Sequence, residues 1–571
     1  MTAVLGISGL YHDAAAALVI DDRVVAAIQE ERLTRIKNDA KLPWRAARAC
    51  LQFAGISAHE LDNVVFYENP FAKLERVLTH ALRAFPRGVR GFPRAMQSQL
   101  GEKIWVLDAI ANELDVPRAR VLFGEHHRSH AASAFYASPF DAACVLTVDG
   151  VGESVTTAIF RADDTGLHCL DELHFPHSLG LLYAALTAYL GFEVNEGEHK
   201  VMGLAAFGTS RFEDEFAKIV KLQADGSYEL VSDYFGHEQG SELGFSSALE
   251  TLLGPRRLPG RRFGLPLSTD EQRYADIAAT LQAVTERALL GLCQRARSRT
   301  GLSHLCLAGG VALNAVANAR IARESGFSRV FVQPAAGDAG GALGAALLRA
   351  RELGAKRPAA LGSAGLGLPI NPAQAHDLAI ELGFSLTRVT NPAREAAALL
   401  ARHKLVGLCS GRFEWGPRAL GQRSLLAEPS DPETRERLNR VVKQREAFQP
   451  FAPSVLAARA ERYFEGAPNH MTPYMTTVCP VRPTVAQELA AVRHVDGTAR
   501  VQTVEATHAP LLHATLEEFA SLSGTPVLLN TSLNGAHEPI VASSEDALGF
   551  LMAHELDALL VEDLLIKKGP L

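Results

Sequence analysis

VLTVDGVGES, residues 145–154, is the stretch that decides the fold class. Its apolar residues predict a buried strand, and its small and acidic residues predict a tight turn at the end of that strand. The next run, TTAIFRADDTGLHCLDEL, returns from the turn as a hairpin. Residues 3–30 follow the same plan, with a second hairpin turn at Asp21-Asp22. Two copies of one strand-and-hairpin unit predict a duplicated α/β domain.

Two further strands in this half run into glycine-rich turns. His304–Ala308 is followed by GGVALNAVANAR, and Val330–Gln333 is followed by GDAGGALGAALLRA. Small residues open a helix after each strand, and helix N-termini bind phosphates. The turns therefore predict a nucleotide cleft between two duplicated halves, an arrangement that resembles the actin, sugar-kinase and Hsp70 superfamily. For any single turn, tight packing of helix on strand is the alternative.

The length of the chain and one Gly-, Ala- and Pro-rich stretch indicate the domain organisation. A chain of 571 residues is too long for one ordinary core. We predict an actin-like domain at residues 1–355, a linker at 356–373 and a second α/β domain at 374–571. Residues 235–270 have the composition of a loop-rich insertion, to which the sequence assigns no role.

Composition and charge exclude several classes of protein. A net charge of −7 argues against a dedicated nucleic-acid binder. No run reaches the roughly 18 uninterrupted apolar residues of a membrane span, and MTAVLGISGLYHDAAAALVI lacks the basic start of a signal peptide. Seven scattered cysteines without a CxxC pair favour reduced thiols. The cytoplasm is therefore the predicted location.

A histidine pair in GEHHRSHAASAFYASPF predicts a metal site. His126 and His130 are four residues apart, which puts both imidazoles on one face of a helix and directs His127 elsewhere. Asp338, in the second glycine-rich turn, would add a carboxylate and leave positions open for substrate oxygens. This ligand set suits iron(II) or another first-row metal. For HxxxH alone, a surface accident is the alternative.

Four other polar residues of the first half are candidates for acceptor and phosphate contacts. His12 and Asp13 lie in the first turn and could take a proton from an attacking hydroxyl, or could merely pack and cap. Asp149 lies in the matching turn and could hold the acceptor or cap that turn. Lys200 could meet a phosphate, although a solvated surface lysine is the alternative.

The second half carries a basic loop. GRFEWGPRALGQRSLLAEP contains Arg418 and Arg423 among glycines and a proline, and VVKQREAFQPFAPSVL adds Lys443 and Arg445. Cations amid aromatic residues predict a cradle for several phosphates or a small anion. A solvated basic helix is the alternative, and it fits the arginines of SDPETRERLNR better. The run LLNTSLNGAHEPIV adds amides and hydroxyls that could bind ribose, phosphate or carboxylate.

Motifs along the whole chain resemble one family. In order, they are HDAAAAL, EERLTRIK, HHRSHAASAFY, VDGVGE, GEHKVMGLAAFG, GGVALN, GDAGGALGAA, GPRALGQRS, FAPSV and NTSLN followed by EPIV. Together they resemble the NodU/CmcH-type O-carbamoyltransferases, and GPRALGQRS and NTSLN are the most specific. One departure concerns Lys37, which is followed by Asn38 and Asp39 where family members often have a His-Asp pair.

The resemblance implies two sites and a shared intermediate. The first domain is similar to the tRNA threonylcarbamoyl transferase subunit, whose two histidines and aspartate bind a metal, here Fe(II), and correspond to His126, His130 and Asp338. The second domain is similar to YrdC-type adenylate synthases and the hydrogenase-maturation carbamoyltransferase. Such domains make carbamoyl-AMP from carbamoyl phosphate and ATP, with Mg²⁺ expected on the ATP.

The residues assigned to these steps fall into three groups besides the metal ligands. The predicted catalytic residues are His12, Asp13, Arg418 and Lys443. The predicted nucleotide- or carbamoyl-adenylate-binding residues are Lys37, Lys200, Gly309, Gly310, Asn314, Gly337, Arg423, Arg445, Asn530 and Ser532. The predicted acceptor-binding residues are His12 and Asp149.

The favoured function is carbamoylation of a hydroxyl on a small natural product, with no nucleic-acid or membrane partner and with a homodimer left open. The acids Asp13, Asp39 and Asp149 favour a polycationic antibiotic such as the aminoglycoside tobramycin. One alternative is a sugar kinase with a regulatory domain, which leaves HxxxH and the basic loop unexplained. A non-catalytic nucleotide-binding scaffold is another.

Overall fold

The computed structural model describes residues 1–83, 92–236 and 243–569, and it divides the chain into two compact units. Unit 1 comprises Met1–Val25 and Ala40–Ala360, and unit 2 comprises Ala26–Asp39 and Leu361–Leu571. Part of the 235–270 insertion therefore lies outside the described residues.

The boundaries of unit 2 differ from the predicted domain boundaries in two places. Residues 26–39 of the predicted first domain and residues 361–373 of the predicted linker are part of unit 2. Arg35 explains the first case, because its guanidinium donates to the carbonyls of Pro539 and Ile540 at 2.8 and 2.7 Å. Such contacts between distant parts of the sequence leave no local signature.

Two sheets of matching topology lie in unit 1, apart from residues 26–29 at the end of one strand, which belong to unit 2. Their strands are β1 (Ala3–Ser8), β2 (Ala15–Ile20), β3 (Arg23–Gln29), β4 (Asn63–Phe66), β5 (Val121–Phe123), β6 (Ala143–Val148), β7 (Val155–Asp163), β8 (Gly166–His174), β11 (His304–Ala308) and β12 (Arg329–Val332), with a separate hairpin of β9 (Val220–Leu222) and β10 (Tyr228–Leu230). The strand orders are β3-β2-β1-β4-β5 and β8-β7-β6-β11-β12. In each sheet the central strand pairs antiparallel with the next strand and parallel with a later one. This repeat confirms the predicted duplicated, actin-like α/β fold.

The described residues of unit 1 also form twelve α-helices. They are α2 (Trp44–Ala54), α3 (Pro70–Arg83), α4 (Phe92–Gly101), α5 (Val106–Leu114), α6 (His126–Phe135), α7 (Leu179–Tyr189), α8 (Glu198–Ala205), α9 (Glu213–Ile219), α10 (Ser247–Leu253), α11 (Thr269–Thr300), α12 (Ala315–Glu324) and α13 (Asp338–Glu352), whereas α1 (Glu31–Thr34) belongs to unit 2. None of the described helices is long and apolar enough to cross a bilayer.

Two glycines let α13 pack unusually close to its neighbours. A Cβ atom at Gly6 of β1 would lie 1.9 Å from the carbonyl oxygen of Ala342, and one at Gly344 would lie 1.7 Å from that of Ser129 in α6. Any other side chain at either position would push α13 away. The close packing matters for the site, because α6 begins at His126 and α13 begins at Asp338.

Unit 2 is a mixed α/β unit around an eight-stranded sheet. The strands are β13 (Ser385–Arg388), β14 (Val406–Cys409), β15 (Arg423–Ala427), β16 (Ala452–Leu456), β17 (Cys479–Pro480), β18 (Thr498–Ala499), β19 (Gln502–Val504), β20 (Val527–Ser532), β21 (Ala558–Val561) and β22 (Leu564–Lys567). The large sheet has the order β13-β22-β21-β14-β15-β20-β16-β19, and β17 pairs with β18. Its other helices are α14 (Pro372–Glu381), α15 (Pro392–Leu400), α16 (Pro432–Arg437), α17 (Ala460–Tyr463), α18 (Pro510–Ser523) and α19 (Ser544–Ala553).

Candidate metal centre and basic cluster

Four side chains converge in unit 1 from the starts of two helices and the end of one strand. His126 and His130 lie on α6, Asp338 is the first residue of α13, and Asp149 directly follows β6. One ligand atom from each residue lies within 4.8 Å of the ligand atoms of the other three. We call these four residues the metal-ligand cluster. All four are buried or nearly so.

The distances within the metal-ligand cluster are short. The Nε2 atoms of His126 and His130 are 3.1 Å apart, and they lie 2.7 and 3.1 Å from Oδ2 of Asp149. Oδ1 of Asp338 is 3.8 Å from His126 Nε2 and 3.5 Å from His130 Nε2. Burial would raise the pKa of Asp149, but its histidine contacts lower that pKa well below its ordinary range.

The donor set fits a divalent cation. Two imidazole nitrogens and two carboxylate oxygens point at one buried volume, where two negative charges need compensation. A divalent metal ion can accept lone pairs from all four atoms at once, and nitrogen and oxygen donors suit first-row divalent metals. A bound metal would serve as a Lewis acid that polarises an oxygen of the substrate.

A further carboxylate supports one of the histidines. Glu68 Oε2 lies 3.6 Å from Nδ1 of His126, and Lys73 Nζ donates to the same carboxylate at 2.7 Å. Tyr67 donates from Oη to Oδ2 of Asp338 at 3.3 Å. Partners of this kind orient metal ligands and fix the tautomer of a histidine. Neither Glu68 nor Tyr67 was predicted, because no local pattern connects them with HxxxH.

His12 and Asp13 lie beside the metal-ligand cluster. His12 Nδ1 is 3.1 Å from Oδ2 of Asp13, and His12 Nε2 is 3.9 Å from Oδ2 of Asp338. Burial lowers the pKa of His12, but Asp338 and Asp13 outweigh that effect and raise the pKa to about 9. A cation bound by Asp338 would offset part of this carboxylate charge.

The two glycine-rich turns also meet at the metal-ligand cluster. Gly310 donates its N–H to Oδ1 of Asp149 at 2.9 Å, and a Cβ atom at Gly337 would lie 3.9 Å from Cα of Gly310. Gly309 has a φ of 90°, which opens the turn. Asn314 caps α12 through the N–H of Ala317 at 3.0 Å.

Two predicted residues of unit 1 have different surroundings from those expected. Asp149 lies between the histidines, so its carboxylate is a fourth potential metal ligand, and its contact with the acceptor stays a prediction. The cause is the packing of α6 against the end of β6, which the sequence does not reveal. Lys200 points its Nζ over the ring of Phe192, 6.0 Å from the centroid.

Unit 2 contains a group of buried and partly buried cations, which we call the basic cluster: Arg418, Lys443, Arg445 and Arg500. Burial lowers the pKa of each of them. The charge of Arg500 lowers the pKa of Arg418 further, and it contributes to a value of about 9 for Arg445. The charge of Arg445 in turn lowers the pKa of Lys443. Neighbouring buried cations of this kind are stabilised by an anion.

The contacts of Lys443 connect the basic cluster to the NTSLN segment. Its Nζ donates to the carbonyl oxygen of Ser532 at 2.5 Å and to Oδ1 of Asn534 at 2.7 Å. Oγ of Ser532 is 3.2 Å from the same nitrogen. Arg445 lies over the ring of Phe451, 4.5 Å from its centroid. Arg500 Nε is buried without a hydrogen-bond partner in the described part of the chain.

Three residues of unit 2 that were predicted to contact the nucleotide instead form hydrogen bonds or ion pairs with other parts of the protein. Arg423 is fully buried, and its guanidinium donates to the carbonyls of Ser410, Gly411, Gln422 and Ala542. Every nitrogen of that guanidinium therefore has a backbone partner, which differs from the phosphate contact predicted for it.

The other two are Asn530 and Lys37. Asn530 donates to Oγ of Ser454 at 3.0 Å and to Oε1 of Gln502 at 2.8 Å inside the sheet. Lys37 lies in unit 2 and pairs with the carboxylate of Glu31 at 3.0 Å. Asn530 faces the interior of the sheet because side chains alternate along a strand, and Lys37 turns toward Glu31 because that acid lies nearby. The motifs that contain these two residues do not reveal either contact.

Comparison with known proteins identifies the family. The carbamoyltransferase N-terminus family model matches residues 3–347, and the carbamoyltransferase C-terminus model matches residues 397–568. The chain belongs to the carbamoyltransferase family. It is therefore an enzyme of the carbamoyltransferase class, which confirms the predicted resemblance.

The relatives of this carbamoyltransferase extend over nearly its whole length. It is 42% identical to the uncharacterized protein sll1178 of Synechocystis, over 100% of this chain and 97% of the relative. It is 37% identical to the nodulation protein NolNO of Sinorhizobium fredii, over 98% of this chain and 79% of the relative. The solved structure of full-length HypF in its phosphate- and nucleotide-bound form is 12% identical, with a TM-score of 0.33 over 62% of this chain and 56% of HypF. A similarity that low supports no conclusion on function.

Proposed function

We propose that this enzyme is an ATP-dependent O-carbamoyltransferase with one reaction step in each unit. Unit 2 would make carbamoyl-AMP from carbamoyl phosphate and ATP, and unit 1 would pass the carbamoyl group to a hydroxyl of a small molecule. The observation that carries the proposal is the pairing of two sites of opposite charge. One site needs a cation, and the other needs an anion.

The first step suits the basic cluster. Water releases carbamate and inorganic phosphate from carbamoyl phosphate; a carbamate oxygen then bonds to the α-phosphorus of ATP, and pyrophosphate leaves. Both reactants are anions, so their approach needs fixed positive charge. Arg418, Lys443 and Arg445 supply that charge, and their burial limits competing water. Ser532, which contacts Lys443, is the adjacent hydroxyl for a phosphate or ribose.

The second step suits the metal-ligand cluster. The acceptor oxygen bonds to the carbamoyl carbon, the bond from that carbon to the phosphate oxygen of AMP breaks, and the hydroxyl proton needs a base. Once a bound cation offsets the charge of Asp338 and His12 is neutral, His12 can take this proton at Nε2, because Asp13 accepts a hydrogen bond from Nδ1 and so fixes the tautomer. A divalent metal, with Fe(II) as the favoured ion, would polarise the carbamoyl oxygen. The N–H groups of Gly309 and Gly310 are donated to Ala336 and Asp149, so the turn at Gly337, at the start of α13, is the one that would place backbone N–H groups at the AMP phosphate.

The acceptor is a small molecule with a hydroxyl, and the surroundings of the predicted acidic residues support an aminoglycoside less than the motifs did. Asp149 belongs to the metal-ligand cluster, and Asp39 is part of unit 2. Asp13 and the nearby Glu198 remain as acids beside His12. An acceptor with one ammonium group matches this local charge better than a polycation.

The experiment is product analysis by mass spectrometry after incubation of the enzyme with ATP, carbamoyl phosphate and a panel of hydroxyl compounds. We expect AMP and pyrophosphate together with an acceptor heavier by one carbamoyl group. A phosphorylated acceptor and ADP would instead support a sugar kinase and would overturn the proposal.

A further inference from the structure

The loop that carries Arg418 is built around one buried carboxylate. Glu414 is 1% exposed, and its Oε1 accepts three backbone N–H groups. These come from Leu420 and Gln422 at 2.8 Å and from Arg423 at 2.9 Å. A single oxygen therefore fixes the C-terminal half of the loop. Hydrogen bonds to a charged, buried acceptor are stronger than those between neutral groups.

The other half of the loop is held by a residue from the early part of the chain. Arg32 is 1% exposed and donates from Nη2 to the carbonyl oxygen of Gly416 at 2.6 Å. Arg32 lies in the segment 26–39, which belongs to the same unit as the loop. Burial lowers the pKa of Arg32, while Glu31 and Glu414 oppose that change. Arg32 thus also supplies positive charge near the buried carboxylate.

These two contacts bracket Arg418. The carbonyl held by Arg32 is two residues before Arg418, and the first N–H held by Glu414 is two residues after it. Little backbone freedom remains between anchors so close together. The anchoring matters because Arg418 is repelled by Arg500 when no anion is bound, so a loose loop would move Arg418 away.

We propose that Glu414 and Arg32 are positioning residues, which hold residues 414–423 so that Arg418 meets its anionic substrate in one fixed geometry. The inference rests on the proposed function, because it assumes that Arg418 binds a phosphate. Neither residue touches substrate in this scheme. Both act through Arg418, and small displacements of a charged group are costly in catalysis.

The test uses the full-length enzyme and carbamoyl phosphate-dependent release of pyrophosphate from ATP. Arg32→Lys and Glu414→Gln keep size and polarity while weakening the contacts. We expect KM for carbamoyl phosphate or ATP to rise about tenfold or more, with a smaller change in kcat. Arg388→Lys is the matched control, because Arg388 forms an exposed ion pair with Asp563 in the same unit. Hydrogen exchange at residues 414–423 should quicken in the two variants and not in the control.

A double-mutant cycle with Arg418→Lys separates positioning from general destabilisation. If Arg32 acts through Arg418, Arg32→Lys should raise KM in the wild-type background and change it little in the Arg418→Lys background. Equal effects in both backgrounds, or an unchanged KM in both single variants, would overturn the inference. If Arg418→Lys itself leaves KM unchanged, the proposed function of the basic cluster fails instead. Where Glu414→Gln does not fold, the Arg32 cycle alone decides.

Discussion

The two candidate sites have opposite charge deficits, and this contrast shows what each can bind. In unit 1 the carboxylates of Asp149 and Asp338 face two imidazoles, and the four residues could together hold a cation. In unit 2 burial and mutual repulsion lower the pKa values of the basic cluster, and an anion would offset that repulsion. A buried charge without compensation is costly in either case. The sign of the missing charge therefore distinguishes a metal centre from a phosphate site before any ligand is known.

Loss of a metal ligand in unit 1 should have a larger effect than the other substitutions, and it tests whether the metal-ligand cluster binds a cation. His130→Ala removes one of two nitrogen donors from a fully buried position. Bound metal should fall from about one equivalent to near zero, and carbamoyl transfer should fall on the order of 1000-fold. Elemental analysis and transfer assays measure the two quantities. His168→Ala, an exposed histidine of β8, is the control. Normal metal content in His130→Ala would remove that residue from the ligand set.

The second prediction concerns unit 2 and tests whether the basic cluster binds an anionic substrate. Arg418→Ala should reduce carbamoyl phosphate-dependent pyrophosphate release by about 100-fold, because a fixed cation beside the reacting phosphate is lost. Synthetic carbamoyl-AMP with a good acceptor should restore much of the transfer, since the metal-ligand cluster, His12 and Asp13 are intact. Asp338→Ala should behave in the opposite way. If carbamoyl-AMP rescues Asp338→Ala and not Arg418→Ala, the assignment of steps to units is wrong.

A third prediction concerns Asp149, which the sequence assigned to the acceptor and which lies in the metal-ligand cluster. A smaller effect is expected here. Asp149→Asn keeps the shape of the side chain and removes its charge. If Asp149 binds the metal, metal affinity should fall about 10- to 100-fold, measured by competition with a chelator. Asp108→Asn, at an exposed ion pair of the same unit, is the control. Unchanged metal affinity with a raised KM for the acceptor would favour the acceptor role instead.

The fourth prediction, with the smallest expected change in activity, distinguishes Arg423 as a structural residue from Arg418 as a substrate-binding one. Arg423→Lys should lower the free energy of unfolding by about 2 kcal/mol, because several buried carbonyls lose their donors. The KM for ATP should change less than it does in Arg418→Lys. The midpoint of thermal unfolding and initial rates measure the two properties. A stable Arg423→Lys protein with a raised KM would return Arg423 to the phosphate site.

The parts that could be predicted from the sequence are those set by local geometry. Four-residue spacing identified His126 and His130 as neighbours, and the strand-and-hairpin repeat predicted two matching sheets. The position of Asp149 beside both histidines could not be found, because it depends on how the start of α6 meets the end of β6. Arg423 looked like a loop cation, whereas it begins a strand whose residues are all buried. Which way a side chain faces in a mixed sheet depends on partners that are distant in sequence.

The same limit applies to Glu414 and Arg32. The motif GRFEWGPRALGQRS displays Glu414 as one acid among several cations, with no indication that one oxygen binds three N–H groups. Arg32 lies in a charged run that is typical of a solvated surface, yet it is almost fully buried. Only tertiary packing decides between these two environments.

Residues 26–39 have a consequence for how the protein is made. Translation delivers this segment early, whereas the rest of unit 2 starts at Leu361. Its partners at Gly416, Pro539 and Ile540 leave the ribosome only after the last residues of unit 1. Arg32 and Arg35 therefore cannot form these hydrogen bonds until unit 1 has been synthesised. A fragment that begins at residue 361 would lack part of its own interior, so separate expression of unit 2 requires that residues 26–39 be joined to it or added back as a peptide.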